Sequence, residues 1–457
     1  MALFEKMITE MNFRTMALQV KNQLKRLGQY LITLVSVVTL NGAVSAQGIN
    51  YPVGSPTGTS GAGNARTDPD NLFIRNNVAG MTEIAVNEAE EQTGKLGVSA
   101  NGHWRFLGEF QLATYQYHRR RILPGPTLGI VSETRLGTGN GVGEVTYTSG
   151  DHRYALGIGI YTIYGFQSKL EDPPQLGPLA TFFDTRVASN DLGVGGAIRI
   201  NPKISVGGSF FFGRGFVDLS LPNSQLALLG IMRQDRLDAS AFGAPGVSLG
   251  LNFRPSERIN FGINYKTRRN YNLDGNLETF VPLVGPGGGG QIVPVEPRVI
   301  VKLKPPAIAE GGFEIKATNK LRLFADFRFY DYTATFQEID VSDKLTGQVL
   351  FALQLDAFDV RSVRAGGIYT LSDSTRINFG WAYTSNGFPA ASITPGTLNL
   401  GGFDISGGIG KRYRDLWLNF GVAGILGLNR TIEAAENPAF PGKYGGRGAM
   451  LGMGVRW

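Results

Sequence analysis

From Leu192 to the C-terminus, apolar and polar residues alternate in short runs separated by turns. Ile204, Val206, Gly208, Phe210 and Phe212 share one parity, and Ser205, Gly207 and Ser209 share the other. Likewise Val247, Leu249, Leu251 and Phe253 oppose Ser248, Gly250 and Asn252, and Ile377, Phe379, Trp381 and Tyr383 oppose Asn378, Gly380 and Ala382. Successive side chains on a strand point to opposite faces, so each run is a strand with one apolar face and one small or polar face. The connections alternate in length. Short polar turns at 201–203, 255–258, 318–320, 372–375 and 411–415 carry turn formers and charge. Long connections are expected at 214–246, 267–311, 330–362, 385–402 and 427–448. Short turns on one side and long loops on the other are the pattern of a membrane barrel, with the short turns facing the periplasm.

Earlier candidate strands are Lys95 to Trp104, Gln111 to Arg119, Gly143 to Ser149 and Tyr154 to Tyr164. Together they predict an all-β fold, a transmembrane antiparallel β-barrel of about 14 strands. Tyr265, Tyr369, Tyr383 and Trp417 near strand ends fit an interfacial aromatic girdle. Arg199, Arg254, Lys266, Arg322, Asp326, Arg328, Arg364 and Asp404 all fall on the polar parity. Charge on the lipid face costs a few kcal/mol near mid-bilayer, so these side chains are expected in the lumen. Arg322, Asp326 and Arg328 predict an internal ion network, with a carboxylate headgroup as the alternative partner.

The ends of the chain fit this picture. Lys21, Lys25 and Arg26 precede the apolar run Leu31 to Leu40, which is too short to span a bilayer, and Ala43 to Ala46 (AVSA) offers a cleavage site. Residues 1–46 therefore read as a signal peptide, with Met7, Met11 and Met16 as alternative starts and an anchor helix as the alternative structure. At the other end Ala449, Leu451, Met453, Val455 and Trp457 alternate with Met450, Gly452, Gly454 and Arg456. A terminal aromatic after such alternation resembles the strand by which outer-membrane barrels are recognised for assembly, with Leu451, Met453, Val455 and Trp457 as the signal. Residues 93–457 are assigned to the barrel. Residues 47–92 lack the alternation and are rich in Gly, Pro, Asn and Thr. A long irregular segment ahead of a barrel has the lumen as its natural place.

Several ordered stretches are similar to the FadL/TodX (OmpP1) family of outer-membrane transporters for long-chain fatty acids and other hydrophobic molecules. Asp70 to Met81 (DNLFIRNNVAGM) resembles that family's N-terminal hatch, and Arg214 to Asp235 its third outer loop. INFGINYKTRRNYNLDGNL, LKPPAIAEGGFEIKATNKLRLFADFRFYDYTATFQEI and VRAGGIYTLSDSTRINFGWAY resemble its later strands in order and spacing. The resemblance implies a 14-stranded barrel plugged by a small hatch. It also implies ligand capture in an apolar groove between two outer loops, transfer to an inner pocket, and sideways release through a kink in an early strand. Ile49, Asn77, Val78, Ala79 and Gly80 map onto the hatch. Val78 stands where the family has proline, so the stiffening that proline gives a turn is missing there.

The third outer loop carries its own physical signal. Asn223 or Ser224 can cap a short helix whose apolar positions are Leu226, Leu229, Ile231 and Met232, widened by Leu228. Such a helix either offers a greasy capture patch or packs shut against Phe280 to Val284, and a groove between the loops, lined by Leu226, Leu229, Ile231, Met232, Phe280 and Leu283, uses both walls.

Composition removes other classes. The 457 residues contain no cysteine and only three histidines, His103, His118 and His152, with no metal-ligand spacing and no nucleophile elbow. No enzyme, catalytic residue, metal or cofactor is expected. Gly139 to Gly143 is assigned to an outer turn rather than a phosphate cradle, because no Lys-Ser/Thr follows. His118 to Arg121 is a basic cluster suited to outer-leaflet phosphates or to a solvated loop base. Without residues 1–46 the chain has 39 Lys and Arg against 35 Asp and Glu, too mild an excess for nucleic acid. The expectation is a monomer in the bacterial outer membrane that passively takes up long-chain fatty acids or other hydrophobic molecules. Its partners are a hydrophobic small molecule, outer-membrane lipid or lipopolysaccharide, and the barrel-assembly machinery. The alternatives are a general porin for polar solutes and a structural or adhesin-type barrel.

Overall fold

The computed structural model describes residues 65–66, 71–83, 102–121, 131–171, 182–223, 226, 233–284, 290–393, 401–437 and 440–457. The strands are β1 (His103–Arg121), β2 (Val131–Thr148), β3 (Tyr154–Glu171), β4 (Phe182–Asn201), β5 (Ile204–Pro222), β6 (Gln234–Phe242), β7 (Gly246–Ser256), β8 (Ile259–Lys266), β9 (Tyr271–Val284) and β10 (Gly290–Val295). They continue with β11 (Arg298–Leu303), β12 (Ile308–Lys316), β13 (Leu321–Tyr330), β14 (Glu338–Asp343), β15 (Val349–Gln354), β16 (Val360–Ser372), β17 (Thr375–Thr384), β18 (Gly402–Tyr413), β19 (Leu416–Ile432) and β20 (Gly442–Arg456).

Antiparallel pairing runs β1-β2-β3-β4-β5-β7-β8-β12-β13-β16-β17-β18-β19-β20 and returns to β1, giving a closed barrel of 14 strands. Closure is needed because a free sheet edge in hydrocarbon leaves backbone donors and acceptors unsatisfied. The last residue takes part. Trp457 N donates to Phe106 O at 2.9 Å, and Phe106 N donates to Trp457 O at 2.8 Å.

Six strands rise beyond this ring as a second tier. The outer half of β5 pairs with β6, and the sheet continues through β9, β11, β14 and β15, with β10 on the far end of β9. Non-strand residues at 243–245, 267–270, 304–307, 331–337 and 355–359 separate the tiers. The long connections expected at 214–246, 267–311 and 330–362 are therefore largely extended sheet. β5 shows why the pattern hid this. In its lower half Val206, Phe210 and Phe212 face outward and Ser205 and Ser209 inward, whereas in its upper half Val217 and Leu219 are buried inside. The alternation never breaks, but the polar set moves to the other face. A strand of about 9–11 residues crosses a bilayer, so the lower half meets lipid and the upper half meets water.

The lower tier wears an apolar belt that includes Leu156, Ile198, Leu249, Ile263, Phe327, Ile405, Phe420 and Leu451. The upper tier exposes Arg236, Asp238, Asn272 and Arg298 instead, and its inner face joins a buried apolar core of Val217, Leu237, Leu273, Val299, Val301 and Val341. This core extends across the lumen to Ile425, Ile432 and Tyr444 and takes in Phe388 and Ile393 from the segment after β17. Asn437 Nδ2 holds that segment, lying 3.3, 3.0 and 2.9 Å from the carbonyls of Ala390, Ala391 and Ile393.

Three local expectations change. Gly139 to Gly143 is strand, not an outer turn, because it pairs with Leu112 to Gly108 of β1. Trp417 is buried rather than part of a girdle, with the Arg376 guanidinium 3.9 Å from its ring centroid. Tyr265 and Tyr369 do lie on the outside. His118 to Arg121 is split by strand alternation, Arg119 buried and Arg120 exposed.

The change of solvent along the wall makes a direct prediction. Leu249→Arg places a guanidinium in the belt and should cost about 2–4 kcal/mol, seen as a lower midpoint in denaturant unfolding from lipid bilayers. Asn272→Arg, outward on the second tier, should shift stability by less than about 0.5 kcal/mol.

Candidate functional site: the lumen and its plug

Residues 71–83 sit inside the lower tier. Helix α1 (Phe73–Asn76) and a 3-10 turn (Val78–Glu83) are buried throughout. Phe73, Ile74, Val78 and Met81 pack with Leu107, Val142, Ala155, Tyr161, Ala197 and Phe211 of the wall. Polar bonds at both ends fix the segment. At its start the Glu144 carboxylate accepts Phe73 N at 3.2 Å, Ile74 N at 2.9 Å and Tyr161 Oη at 2.8 Å, and it pairs with Arg105. At its end Glu83 pairs with Arg199 at 2.9 Å and Arg254 at 2.8 Å. Such pairs are costly to break, because removing one partner leaves the other charge buried. His152, in the adjacent short turn, is pushed below its usual range by burial and then by Arg199.

The four mapped hatch residues that the structure describes each have a physical role. Asn77 Oδ1 accepts Ala79 N at 3.2 Å, forming the turn, while its Nδ2 donates to Leu251 O in β7 at 3.1 Å. Gly80 lies beneath the Phe73 ring, where a Cβ would sit 2.7 Å from the ring carbons. Val78, in place of proline, fills a hollow beside Gly195 and Gly207. A Cβ on Gly207 would lie 2.6 Å from Val78 Cγ1 and 2.8 Å from Ala79 N, and one on Gly250 2.2 Å from Asn77 Oδ1. The turn is thus held by packing into a glycine-lined wall instead of by a proline ring. Ile49 lies outside the described residues.

Above this segment is a charged layer. Glu310 pairs with Arg328 at 2.8 Å and Lys266 at 3.0 Å, and it accepts Asn264 Nδ2 at 3.1 Å. Arg322 pairs instead with Glu314. Arg75, on α1, is 7 % exposed and lies within electrostatic reach of Arg328, Glu310 and Arg364, and its Nε meets no hydrogen-bond acceptor among the described residues. Tyr330, two positions above Arg328, already belongs to the apolar core. Cations therefore floor an apolar section of the lumen. All eight charges assigned to the lumen from the sequence are inward and mostly buried. Glu83, Glu144 and Glu310, which anchor the arrangement, stand out little in the sequence. The only available signal for Glu144 and Glu310 is a carboxylate on the lumen parity of a strand, and Glu83 has none.

At the long-loop end, Asn223 ties two connections together. Its Oδ1 accepts Leu226 N at 3.0 Å, as a helix cap does, and its Nδ2 donates to Phe280 O at 3.1 Å and Asp235 Oδ1 at 2.8 Å. Leu226 is buried, and Phe280 is half-buried with Arg233 over its ring. Leu229, Ile231 and Met232 lie outside the described residues. Leu283 is described only as backbone, paired with Gln291. Among the described residues the wall parts beside the 71–83 segment. β2 pairs with β1 from Val131 to Thr148 but with β3 only from Gly143 to Thr148, while β3 continues along β4 with a bulge at 162–164.

The tight fit gives a test. Gly207→Val should displace Val78 and Ala79, since overpacking at such a contact costs about 1–3 kcal/mol, and should raise single-channel conductance in planar bilayers. Gly208→Val, whose Cβ would meet its nearest neighbour at 3.5 Å, should leave conductance unchanged.

Solved structures share this architecture. A FadL homologue of Pseudomonas aeruginosa matches with a TM-score of 0.72 at 15% identity, covering 91% of this chain and 99% of that one. The toluene transporter TbuX of Ralstonia pickettii matches with a TM-score of 0.61 at 15% identity, covering 89% and 99%. The toluene transporter TodX of P. putida matches with a TM-score of 0.63 at 13% identity, covering 89% and 98%. At such identities they establish the fold alone. No curated protein matches by sequence. The outer membrane protein transport protein family (OMPP1/FadL/TodX) matches residues 35–395, and with a closed 14-stranded barrel beneath an apolar upper lumen, the chain belongs to that family of outer-membrane channels for hydrophobic molecules.

Proposed function

We propose that this protein carries long-chain fatty acids, or other hydrophobic molecules, passively across the bacterial outer membrane, with residues 47–92 acting as its hatch. The observation that carries this reading is the order of solvents along the lumen, apolar above and cationic at the floor. An alkyl chain gains about 0.8 kcal/mol for each CH₂ it buries, and an acidic head gains charge-assisted bonds at the floor. A porin for polar solutes has no use for an apolar section. Capture begins between the 223–233 and 279–284 connections, on Leu226, Leu229, Ile231, Met232, Phe280 and Leu283. Release goes sideways into the bilayer where β2 and β3 part, a discontinuity that begins beside Ile160, whose partner Leu192 still belongs to the outward apolar set. The protein acts as a monomer and without chemistry. Leu451, Met453, Val455 and Trp457 on β20 serve recognition by the barrel-assembly machinery, and lipopolysaccharide surrounds the wall.

Cells expressing the protein should take up labelled oleate faster than cells without it, with no gain in uptake of a small sugar. Sugar entry without oleate entry overturns the proposal. Phe280→Asp should lower the initial oleate rate several-fold while leaving the folded barrel intact in heat-modifiable electrophoresis. Arg75→Met should slow oleate but leave toluene uptake unchanged if the floor reads the acidic head. Equal slowing of both assigns Arg75 to the hatch instead.

A further inference from the structure

We propose that the seam where β20 closes onto β1 carries a binding site for the phosphates of an outer-leaflet glycolipid of the lipid A type. Strand alternation divides the basic run at the end of β1. Arg119 turns inward, with its guanidinium 5.6 Å from the ring centroids of Phe440 and Tyr444, while His118 and Arg120 face out. The register then adds cations from the other end of the chain. Lys443 lies opposite Arg120 and Arg447 opposite Gln116, both exposed on the same outward face. On the neighbouring strand the register sets Glu133 opposite His118 and Arg135 opposite Gln116, one acid and one base that add no net charge. Arg120, Lys443 and Arg447 remain as the excess.

The height of these residues identifies what they meet. The belt below them includes Leu112, Leu451 and Met453, and Arg447 lies level with its register partner Leu426, which is also exposed. The cations thus begin at the upper edge of the hydrocarbon and rise from it, where lipid phosphates lie. Lys443 and Arg447 are four residues apart on one strand, about 13 Å, so they suit two separate phosphates better than one. Gly445 between them contributes no side chain, and the His118 ring lies over it. On the second tier, by contrast, the outward cations Arg298 and Lys344 both meet Asp274. Among the described residues Arg120, Lys443 and Arg447 form no ion pair, and the side chain that Arg447 bonds is the neutral Gln116, at 3.3 Å. A guanidinium is suited to bidentate phosphate contact, and an ammonium acts as a point charge beside it.

The choice of glycolipid over phospholipid rests on the outer-membrane orientation proposed above, but the site is tested without transport. Full-length protein in detergent micelles is titrated by native mass spectrometry with bisphosphorylated lipid A, with the same lipid A after dephosphorylation, and with phosphatidylglycerol. The wild type should bind bisphosphorylated lipid A at least tenfold more tightly than the other two lipids. Arg120→Gln/Lys443→Gln/Arg447→Gln should lose that preference, and Arg298→Gln/Lys344→Gln should keep it. Lys443→Gln alone should fall between, so the result does not depend on the triple variant folding, which heat-modifiable mobility reports separately. Unchanged lipid A binding by the triple variant overturns the site, and equal binding of phosphatidylglycerol overturns the assignment to glycolipid. Failure of oleate uptake with lipid A binding intact overturns the transport reading and leaves this site standing.

Discussion

A backbone amide in hydrocarbon has no water to bond, and this constraint shapes the whole molecule. It requires the ring of 14 strands to close, which the pairing of β1 with β20 achieves down to the reciprocal bonds between Phe106 and Trp457. It also gives meaning to the place where pairing stops. β2 and β3 part above Gly143 and Ile160, beside the plug, and an unpaired stretch at that height is tolerable only where other groups or a ligand cover it.

A second constraint is the change of solvent along each strand. The wall is dry outside and polar inside over its lower half, then wet outside and apolar inside over its upper half. A strand that runs through both halves answers by moving its apolar set from one face to the other, as β5 does between Phe212 and Val217. The lower lumen can therefore hold buried carboxylates and guanidinia, because Glu83, Glu144 and Glu310 each meet cations of their own there. The upper lumen holds an apolar core tied by the Asn437 side chain and roofed by the second tier. The plug fits between them because glycines on β5 and β7 leave room for Val78 and Asn77.

These arrangements differ in how far they were legible beforehand. The belt positions, the inward charges and the short turns follow from parity, and the structure places Val206, Phe210, Arg328 and Arg364 where parity puts them. The second tier falls within the long connections that the pattern predicts, because lipid-facing alternation marks a strand only inside the bilayer, and above it that mark reverses. Trp417 fits a girdle by sequence yet is buried, because an aromatic near a strand end carries no information about which face it occupies. The charge network was expected around Arg322, Asp326 and Arg328, yet its acidic centre is Glu310, on a different strand, brought to Arg328 by the register of β12 with β13.

The sequence by itself determined a membrane barrel, the parity of its wall and the irregular segment ahead of it, because lipid on one side and a lumen on the other imprint a period of two. Only the tertiary structure decided which carboxylate meets which cation, where the wall leaves lipid, how Val78 is held and which strands part. Those outcomes depend on register between strands far apart in the chain, and a local pattern carries no record of register.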